Sequence, residues 1–295
     1  MFKNIFNILI LTLLFAVVAN SYVKVIPKTT FQYQLQGTID SSVNAQVYFI
    51  DLFDGIKQGA IQKLKSLGKV VFCYYSAGSY EDFRPDANSF PKSIIAGQYA
   101  GYPNEWWLDI RNFQTSGLAQ IMQNRMDLAA QNGCDGVDPD NINVYQNPND
   151  SKLKITYQQQ LDFNLFLANY AHSKNLAISL KNDGDQINDL INYFDVAVNE
   201  SCYELNECSY LDKFISQNKA AFGISYKDLY PSQTKDWQSI CNTQMAKSYT
   251  WILKYQSLQS QIDQCGQGLT NNISTYQQQL LDKVILLFIL INLFF

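Results

Sequence analysis

The sequence contains a single histidine, His172, among 295 residues. It stands before "SKNL" at the end of a predicted helix, where a surface position is its ordinary role. With one histidine, neither a Ser-His-Asp triad nor a histidine-rich metal site is indicated. The sequence also has no CxxC pair, so a zinc ribbon is not indicated, and we predict no metal site.

Charge is also scarce, because charged residues make up 16% of the chain and the formal net charge is -4. No basic patch stands out, so we do not expect nucleic acid as a partner. Neither GxGxxG after the first strand nor GxxxxGK[ST] occurs, and we therefore predict no cofactor. The polar residues are mostly Asn, Gln, Ser and Tyr, which suits a neutral, hydroxylated ligand such as a sugar.

The N-terminal segment resembles a processing signal. Residues 1–21 combine Lys3, an apolar run over 8–18, and small residues at Ala19 and Ser21. This pattern predicts a secretory signal peptide, and a buried N-terminal helix is the alternative. The protein is therefore predicted to be secreted or to lie on the extracellular face of the plasma membrane.

The C-terminal segment, 269–295, is predicted to be a polar spacer followed by a hydrophobic tail. The apolar run Val284–Phe295 has 12 residues. A helix of that length covers only ~18 Å, which is too short for a hydrocarbon core of ~30 Å. We therefore predict a GPI-attachment signal and membrane attachment through a lipid anchor. The alternative is a last amphipathic helix packed on the domain.

Six cysteines remain in a chain that is predicted to be secreted, and this even number suggests disulfides. Their closeness in sequence favours the pairs Cys202–Cys208 and Cys241–Cys265. Cys73 lies inside the apolar run "KVVFCYY" and is interpreted as a buried thiol, which leaves the pairing of Cys73 and Cys134 open.

Between the two terminal segments, short β-rich runs alternate with helical patterns. Nine runs are strand candidates: "FQYQL", "AQVYFID", "KVVFCYY", "WWLDI", "DGVD", "LAISL", "DVAVNE", "AAFGIS" and "SYTWIL". The helical patterns cover Gly55–Leu67, Gly117–Gln131, Thr156–Lys174, Asp185–Tyr193, Cys208–Gln217 and Gln233–Lys247. This alternation predicts an α/β fold in which helices surround a parallel sheet. We predict a single-domain (β/α)8 TIM-type barrel over 22–268, with one strand candidate too many, and a monomeric protein.

Most of these predicted strands end in polar residues. The strand ends carry Asp51, Tyr75, Asp109, Asp138, Asp140, Asn141, Lys181, Glu200 and Tyr226. In a (β/α)8 barrel, the carboxyl ends of the strands form the active face. The acidic stretch "GCDGVDPDN" would then lie at the mouth of the barrel, with Asp135 in the turn before its strand.

Carboxylates, a lysine and aromatic residues are the groups that glycoside hydrolysis uses. Two carboxyl groups flank the glycosidic bond, one as acid and one as nucleophile or base. Trp106, Trp107 and Tyr75 are candidates for stacking on sugar rings, and at least one of the two tryptophans is expected to fill the core.

Seven motifs between Phe31 and Cys265 resemble glycoside hydrolase family 114, whose type activity is endo-α-1,4-polygalactosaminidase. They are "FQYQLQGTID", "VYFIDLFD", "CYYSAGSYEDFRPD", "WWLDIR", "GCDGVDPDN", "LKND" and "NESCYELNEC". The resemblance implies a (β/α)8 barrel with Asp138 as nucleophile and Glu200 as acid/base. Many members of the family have Glu where Asp138 stands, so Asp140 is the competing candidate for the nucleophile.

Two functions follow from this resemblance. The first is a retaining endo-glycosidase that hydrolyses α-1,4-linked, galactosamine-containing polysaccharide. The second is a non-catalytic carbohydrate-binding surface protein that keeps the barrel. For the enzyme we expect carboxyl groups about 5–5.5 Å apart and a Glu200 whose pKa is raised by a neighbouring carboxylate.

Overall fold

Nine strands form one curled sheet in a computed structural model that describes residues 22–265. The strands of the described chain are β1 Phe31–Gln34, β2 Val47–Asp51, β3 Val70–Ser76, β4 Ser79–Glu81, β5 Ile95–Gln98, β6 Glu105–Leu108, β7 Gly136–Asp140, β8 Ala177–Lys181, β9 Val196–Glu200, β10 Ala221–Tyr226, β11 Thr250–Lys254 and β12 Asp263–Gln264. The order in the sheet is β1-β2-β3-β7-β8-β9-β10-β11-β12, and only the β11–β12 pairing is antiparallel. The eight parallel strands confirm the predicted (β/α)8 barrel.

Helices connect most of these strands. They are Leu52–Lys57, Ala60–Ser66, Leu118–Gln131, Pro148–Ser151, Tyr157–Ser173, Ile187–Leu190, Asp212–Ser216 and Trp237–Ala246. The longest begins at a capping box, in which Thr156 accepts from the backbone N–H of Gln159 and the Gln159 side chain accepts from that of Thr156. The helix predicted over Gly55–Leu67 is two helices instead, because the chain turns at Gly59, whose φ is +63°.

The strands separate two apolar layers. Inside the barrel, side chains such as Phe49, Phe72 and Phe222 pack together. Between the barrel and its helices, the alternate residues of the same strands form a second core. Because successive side chains of a strand point to opposite faces, Tyr74 lies inside the barrel and Tyr75 lies outside it.

The surplus strand candidate, "WWLDI", belongs to a second sheet. β6 pairs with β4 and β5 in a three-stranded antiparallel sheet that is inserted between β3 and β7. The loop between β5 and β6 reaches the mouth of the barrel, and this position matters for the site described below.

Side chains bridge the seam between the first and last parallel strands. Lys254 at the end of β11 donates to Gln32 Oε1 of β1 at 3.1 Å. The amide of Gln264 in β12 donates to the carbonyl of Phe31 at 3.1 Å.

Three disulfides are present. Cys202–Cys208 and Cys241–Cys265 match the predicted pairs. The interpretation of Cys73 as a thiol is wrong, because it is bonded to Cys134. Cys73 points outwards from β3, and Cys134 lies just before the neighbouring strand β7, so their Cα atoms are 6.0 Å apart.

The predicted signal peptide and the predicted GPI signal lie outside the described residues. No helix within residues 22–265 has the length and apolar character needed to cross a membrane. His172 lies in the last turn of its helix, as predicted, where it contacts Asp195 at 2.9 Å.

Candidate active site

The carboxyl ends of the parallel strands open into a cavity of about 770 Å³. Six of the residues predicted for the site line it: Asp51, Asp140, Asn141, Lys181, Glu200 and Tyr226. They come from β2, β7, β8, β9, β10 and the turn after β7. The topology therefore brings together side chains that are distant in sequence, at the face where barrel enzymes hold their active sites.

Lys181 is the centre of this cluster. Its Nζ lies 3.1 Å from Asp140 Oδ1, 3.1 Å from Glu200 Oε2 and 3.0 Å from Tyr33 Oη. The side chain is 1% exposed, so each of its three N–H groups has a partner away from water. Burial alone would lower the pKa of Lys181, but Asp140 and Glu200 raise it above its ordinary value. The lysine is therefore a permanent cation between two carboxylates.

Glu200 is held on both oxygens. Tyr226 donates its hydroxyl to Oε1, and Asn182 donates to Oε2 at 2.9 Å. Burial favours the protonated form, but the Lys181 ammonium and these hydrogen bonds outweigh it and lower the pKa of Glu200. The prediction of a raised pKa for Glu200 is therefore wrong, because the charge nearest to Glu200 is a cation.

Asp140 is the carboxylate that shares Lys181 with Glu200. Its other oxygen, Oδ2, accepts from the hydroxyl of Tyr74 at 2.9 Å. Asp140 lines the cavity and keeps 17% of its side chain exposed. A sugar in the cavity can therefore reach it.

Asp138, the residue predicted as nucleophile, is 0% exposed and does not line the cavity. Ser179 donates to its Oδ1, and Tyr33 donates to its Oδ2 at 2.7 Å. Burial raises the pKa of Asp138 to about 6, although Lys181 and both hydrogen bonds favour the ionised form. Asp138 thus lies one layer deeper than Asp140 and holds the tyrosine that contacts Lys181.

Two other predicted residues lie away from the cavity. Tyr75 points out of the barrel and is 0% exposed. Asp109 follows β6, which is not a barrel strand, and it pairs with Arg111 on the surface. Asp109 does follow a strand, as predicted, but this strand belongs to the second sheet.

The two tryptophans do not line the cavity either. Trp107 is 2% exposed, donates to Asp150 at 2.7 Å and stacks on Tyr99. Trp106 packs against Tyr80. Other aromatic residues take the expected place at the rim, among them Tyr102, which is 51% exposed.

Turn residues brace the strand ends. Asn141, Asn182 and Ser201 directly follow β7, β8 and β9, and their φ values are +59°, +58° and +66°. Asn adopts this left-handed conformation more readily than most residues. The Asn182 side chain accepts from the backbone N–H of Glu200 at 2.8 Å, so the turn also fixes the position of Glu200.

The cavity is predominantly acidic. The carboxylates among its lining residues are Asp51, Asp54, Glu81, Glu105, Asp140 and Glu200. The cations among them are Arg84 and Lys181. Arg84 is already paired, at 2.6 Å with Asp51 and 2.7 Å with Glu81.

Several site residues were not predicted from the sequence. They are Tyr33, Tyr74, Arg84, Tyr99, Tyr102, Glu105 and Ser179. Strand alternation was the available signal for Tyr74 and Ser179, because each lies two residues before a polar strand end on the same face. Tyr102 and Glu105 come from the inserted sheet, whose position no local pattern indicates.

Two carboxyl groups at the mouth of a (β/α)8 barrel are the arrangement that many glycoside hydrolases use. The chain belongs to the glycoside-hydrolase family GH114, whose family model matches residues 14–270. This match confirms the family that the motifs predicted.

Solved structures agree with this assignment. The structure of Aspergillus fumigatus Ega3 in complex with galactosamine is 35% identical, with a TM-score of 0.74 over 82% of this chain and 97% of that one. The glycoside hydrolase domain of PelA from Pseudomonas aeruginosa is 13% identical, with a TM-score of 0.59 over 80% of this chain and 98% of its own, and it supports the fold alone. A search of curated proteins found no match.

Proposed function

We propose that this protein is an endo-glycosidase that hydrolyses α-1,4-linked, galactosamine-containing polysaccharide. The observation that carries the proposal is the open, paired arrangement of Asp140 and Glu200 around Lys181. The similarity to Ega3, whose structure contains galactosamine, supports the substrate class. Asp140 takes the role of nucleophile that the sequence motif suggested for Asp138, because Asp138 is buried below the cavity.

The proposed mechanism is a retaining one, because Lys181 holds the two carboxyl groups close together. Asp140 Oδ1 and Glu200 Oε2 each lie 3.1 Å from the same nitrogen, so these two nearest oxygens are at most twice that distance apart. Retaining glycosidases hold their carboxyl groups about 5–5.5 Å apart, whereas inverting enzymes need roughly 6.5–9.5 Å to admit a water.

The chemical steps follow from the contacts of each carboxyl group. Glu200, which its lowered pKa leaves protonated only at acidic pH, gives that proton to the glycosidic oxygen as the bond to the anomeric carbon breaks, and Asp140 attacks that carbon. Glu200 then removes a proton from the water that hydrolyses the glycosyl–Asp140 ester. Lys181 and Tyr74 orient Asp140 through hydrogen bonds, and Tyr226 orients Glu200.

The charge of the cavity suits an aminosugar. Galactosamine that is not acetylated carries an ammonium group, and the lining has more carboxylates than cations. A negative cleft attracts a cationic polymer and increases its rate of association.

A glycan panel tests this function. Purified protein is incubated with polygalactosamine, partly deacetylated galactosaminogalactan, chitosan and polygalacturonate, and the products are sized by mass spectrometry. We expect oligosaccharides from the first two, with retained anomeric configuration in NMR spectra of the fresh products. Binding without any cleavage would instead support the non-catalytic carbohydrate-binding protein.

We also propose that the protein is secreted as a monomer and carries a lipid anchor. The three disulfides support an oxidising compartment. A phospholipase that cleaves GPI should release the protein from the cell surface, and a mature chain that still contains Phe295 would exclude the anchor.

A further inference from the structure

We propose that Glu105 selects a free amino group on the sugar that is bound against Asp140. This inference rests on the proposed glycosidase function and goes beyond it, since it names the residue that distinguishes an amine from an acetamide. Glu105 begins β6 of the inserted sheet, outside the barrel, yet its side chain lines the catalytic cavity.

Glu105 is fixed on one oxygen and free on the other. Its Oε1 accepts from the hydroxyl of Ser79 and from Asn141 Nδ2 at 3.0 Å. Within residues 22–265, Oε2 has no hydrogen bond. Asn141 directly follows Asp140, so this anchor holds the carboxylate beside the proposed nucleophile. The group next to the anomeric carbon in the sugar is C2, which carries the amine of galactosamine.

The two cations that line the cavity already form ion pairs with carboxylates other than Glu105. Arg84 binds Asp51 and Glu81, and Lys181 binds Asp140 and Glu200. Glu105 forms no ion pair with the described residues. Its charge is therefore available to a cationic ligand, and an ammonium group would donate to Oε2 in a charge-assisted hydrogen bond.

An N-acetyl group would interact less favourably than an ammonium group with Oε2 of Glu105. It carries no charge, has one N–H and is bulkier than an ammonium group. Tyr99 and Tyr102 close the same side of the cavity, because both belong to the strand-and-loop segment that leads to Glu105. The segment 99–105 thus forms a wall that favours a small cationic substituent.

Selection by Glu105 should depend on pH. Burial raises the pKa of Glu105 to about 7, because it disfavours the ionised form. The titratable or charged groups that face Glu105 are Tyr74, Glu81, Arg84, Tyr99, Tyr102 and Asp140. Recognition of the amine should strengthen as Glu105 ionises near pH 7, and it should weaken again at higher pH, where the ammonium group of the sugar loses its proton.

Binding to inactive protein tests the proposal independently of turnover. The background is Glu200→Gln, and calorimetry compares α-1,4-linked galactosamine oligosaccharides with their N-acetylated forms. Adding Glu105→Gln keeps the acceptor for Asn141 and removes only the charge. We expect the affinity for the amine form to fall about 10-fold or more, while the affinity for the acetylated form changes little.

Two further variants complete the experiment. Glu105→Asp keeps the charge and should recover part of the preference and its pH dependence. Glu207→Gln removes an exposed carboxylate outside the cavity lining and should change neither affinity. Equal losses for both oligosaccharides, or an unchanged preference, would overturn the role of Glu105. A preserved amine preference in a wild-type protein that cleaves nothing would overturn only the proposed hydrolysis.

Discussion

Two lysines end two strands of the same barrel, and both are 1% exposed. Lys181 on β8 contacts the carboxylates of Asp140 and Glu200, and its pKa is raised. Lys254 on β11 contacts the neutral oxygen of Gln32, and burial lowers its pKa to about 7. Equal burial thus gives opposite charge behaviour, because the neighbouring charges differ.

The difference separates a catalytic region from a structural one. A lysine that is always charged binds both catalytic carboxyl groups and lowers the pKa of Glu200. A lysine that titrates near neutral pH, and that bridges the seam between the first and last parallel strands, contributes hydrogen bonds instead. We expect changes around Lys181 to affect turnover and changes around Lys254 to affect stability.

Removing the carboxylate partners of Lys181 should have the largest effect. Asp140→Asn and Glu200→Gln should each fold and lose about 10³-fold or more in kcat, since one removes the nucleophile and the other the proton donor. Gln32→Asn alters the partner of Lys254 and should leave kcat near the wild-type value. Asp138→Asn should lower kcat less than Asp140→Asn does.

These rates are measured on polygalactosamine by reducing-end release. An Asp138→Asn protein without activity beside an active Asp140→Asn protein would return the role of nucleophile to Asp138.

Replacing the lysines themselves should give the next largest effect. Lys181→Gln removes the charge between the carboxylates and should lower kcat/KM about 10²-fold. It should also raise the pKa of Glu200, so the basic limb of the pH–rate profile should move to higher pH. Lys254→Gln should change neither rate nor profile. An unmoved limb in Lys181→Gln would show that Lys181 does not set the protonation of Glu200.

Sequence patterns were sufficient for the barrel and for much of its mouth. Lys181 and Glu200 are predictable because each is a polar residue at the end of a buried β-rich run, and the carboxyl ends of such strands meet at the mouth of a barrel. The prediction of Tyr75 is wrong because the alternation of the strand places Tyr74, and not Tyr75, on the same face as Ser76. That alternation was readable in the sequence.

Other features depend on distances that no local pattern contains. Asp138 and Asp140 point to the same face of β7, and only their depth in the barrel distinguishes a buried carboxylate from an open one. The sign of the pKa shift of Glu200 depends on which charged neighbour is nearest, and that is Lys181 at 3.1 Å. Glu105 enters the cavity from another sheet.

Two of the disulfides also test the contrast between the catalytic region around Lys181 and the structural region around Lys254, with smaller expected effects. Cys202–Cys208 closes the loop after Glu200, whereas Cys241–Cys265 ties the segment after β12 to the helix Trp237–Ala246, on the Lys254 side. On a loop-entropy basis, removing the first should cost about 2–3 kcal/mol of unfolding free energy, and removing the second about 3–4 kcal/mol.

Paired Cys→Ser variants, followed by urea denaturation and by kinetics, check this expectation. Only the Cys202–Cys208 variant should also lose activity, because its loop carries Leu205 at the cavity and begins beside Glu200. An equal loss of turnover in both variants would contradict the separation of the two regions.

The smallest expected effect is the change in stability that one pH unit produces through Lys254. Its pKa is about 7 in the folded protein and roughly 10.4 in the unfolded chain. Between these values the unfolded chain binds a proton that the folded protein lacks. Lys254 should therefore make stability fall as the pH drops from about 10.4 to 7, by up to about 1.4 kcal/mol per pH unit. Lys254→Met should flatten this slope, and because all other titrating groups remain, the difference from wild type isolates Lys254. Urea denaturation at pH 7, 8 and 9 measures it. A difference in unfolding free energy that stays constant across these pH values would show that Lys254 is charged in the folded protein, as Lys181 is, and the contrast between the two lysines would be lost.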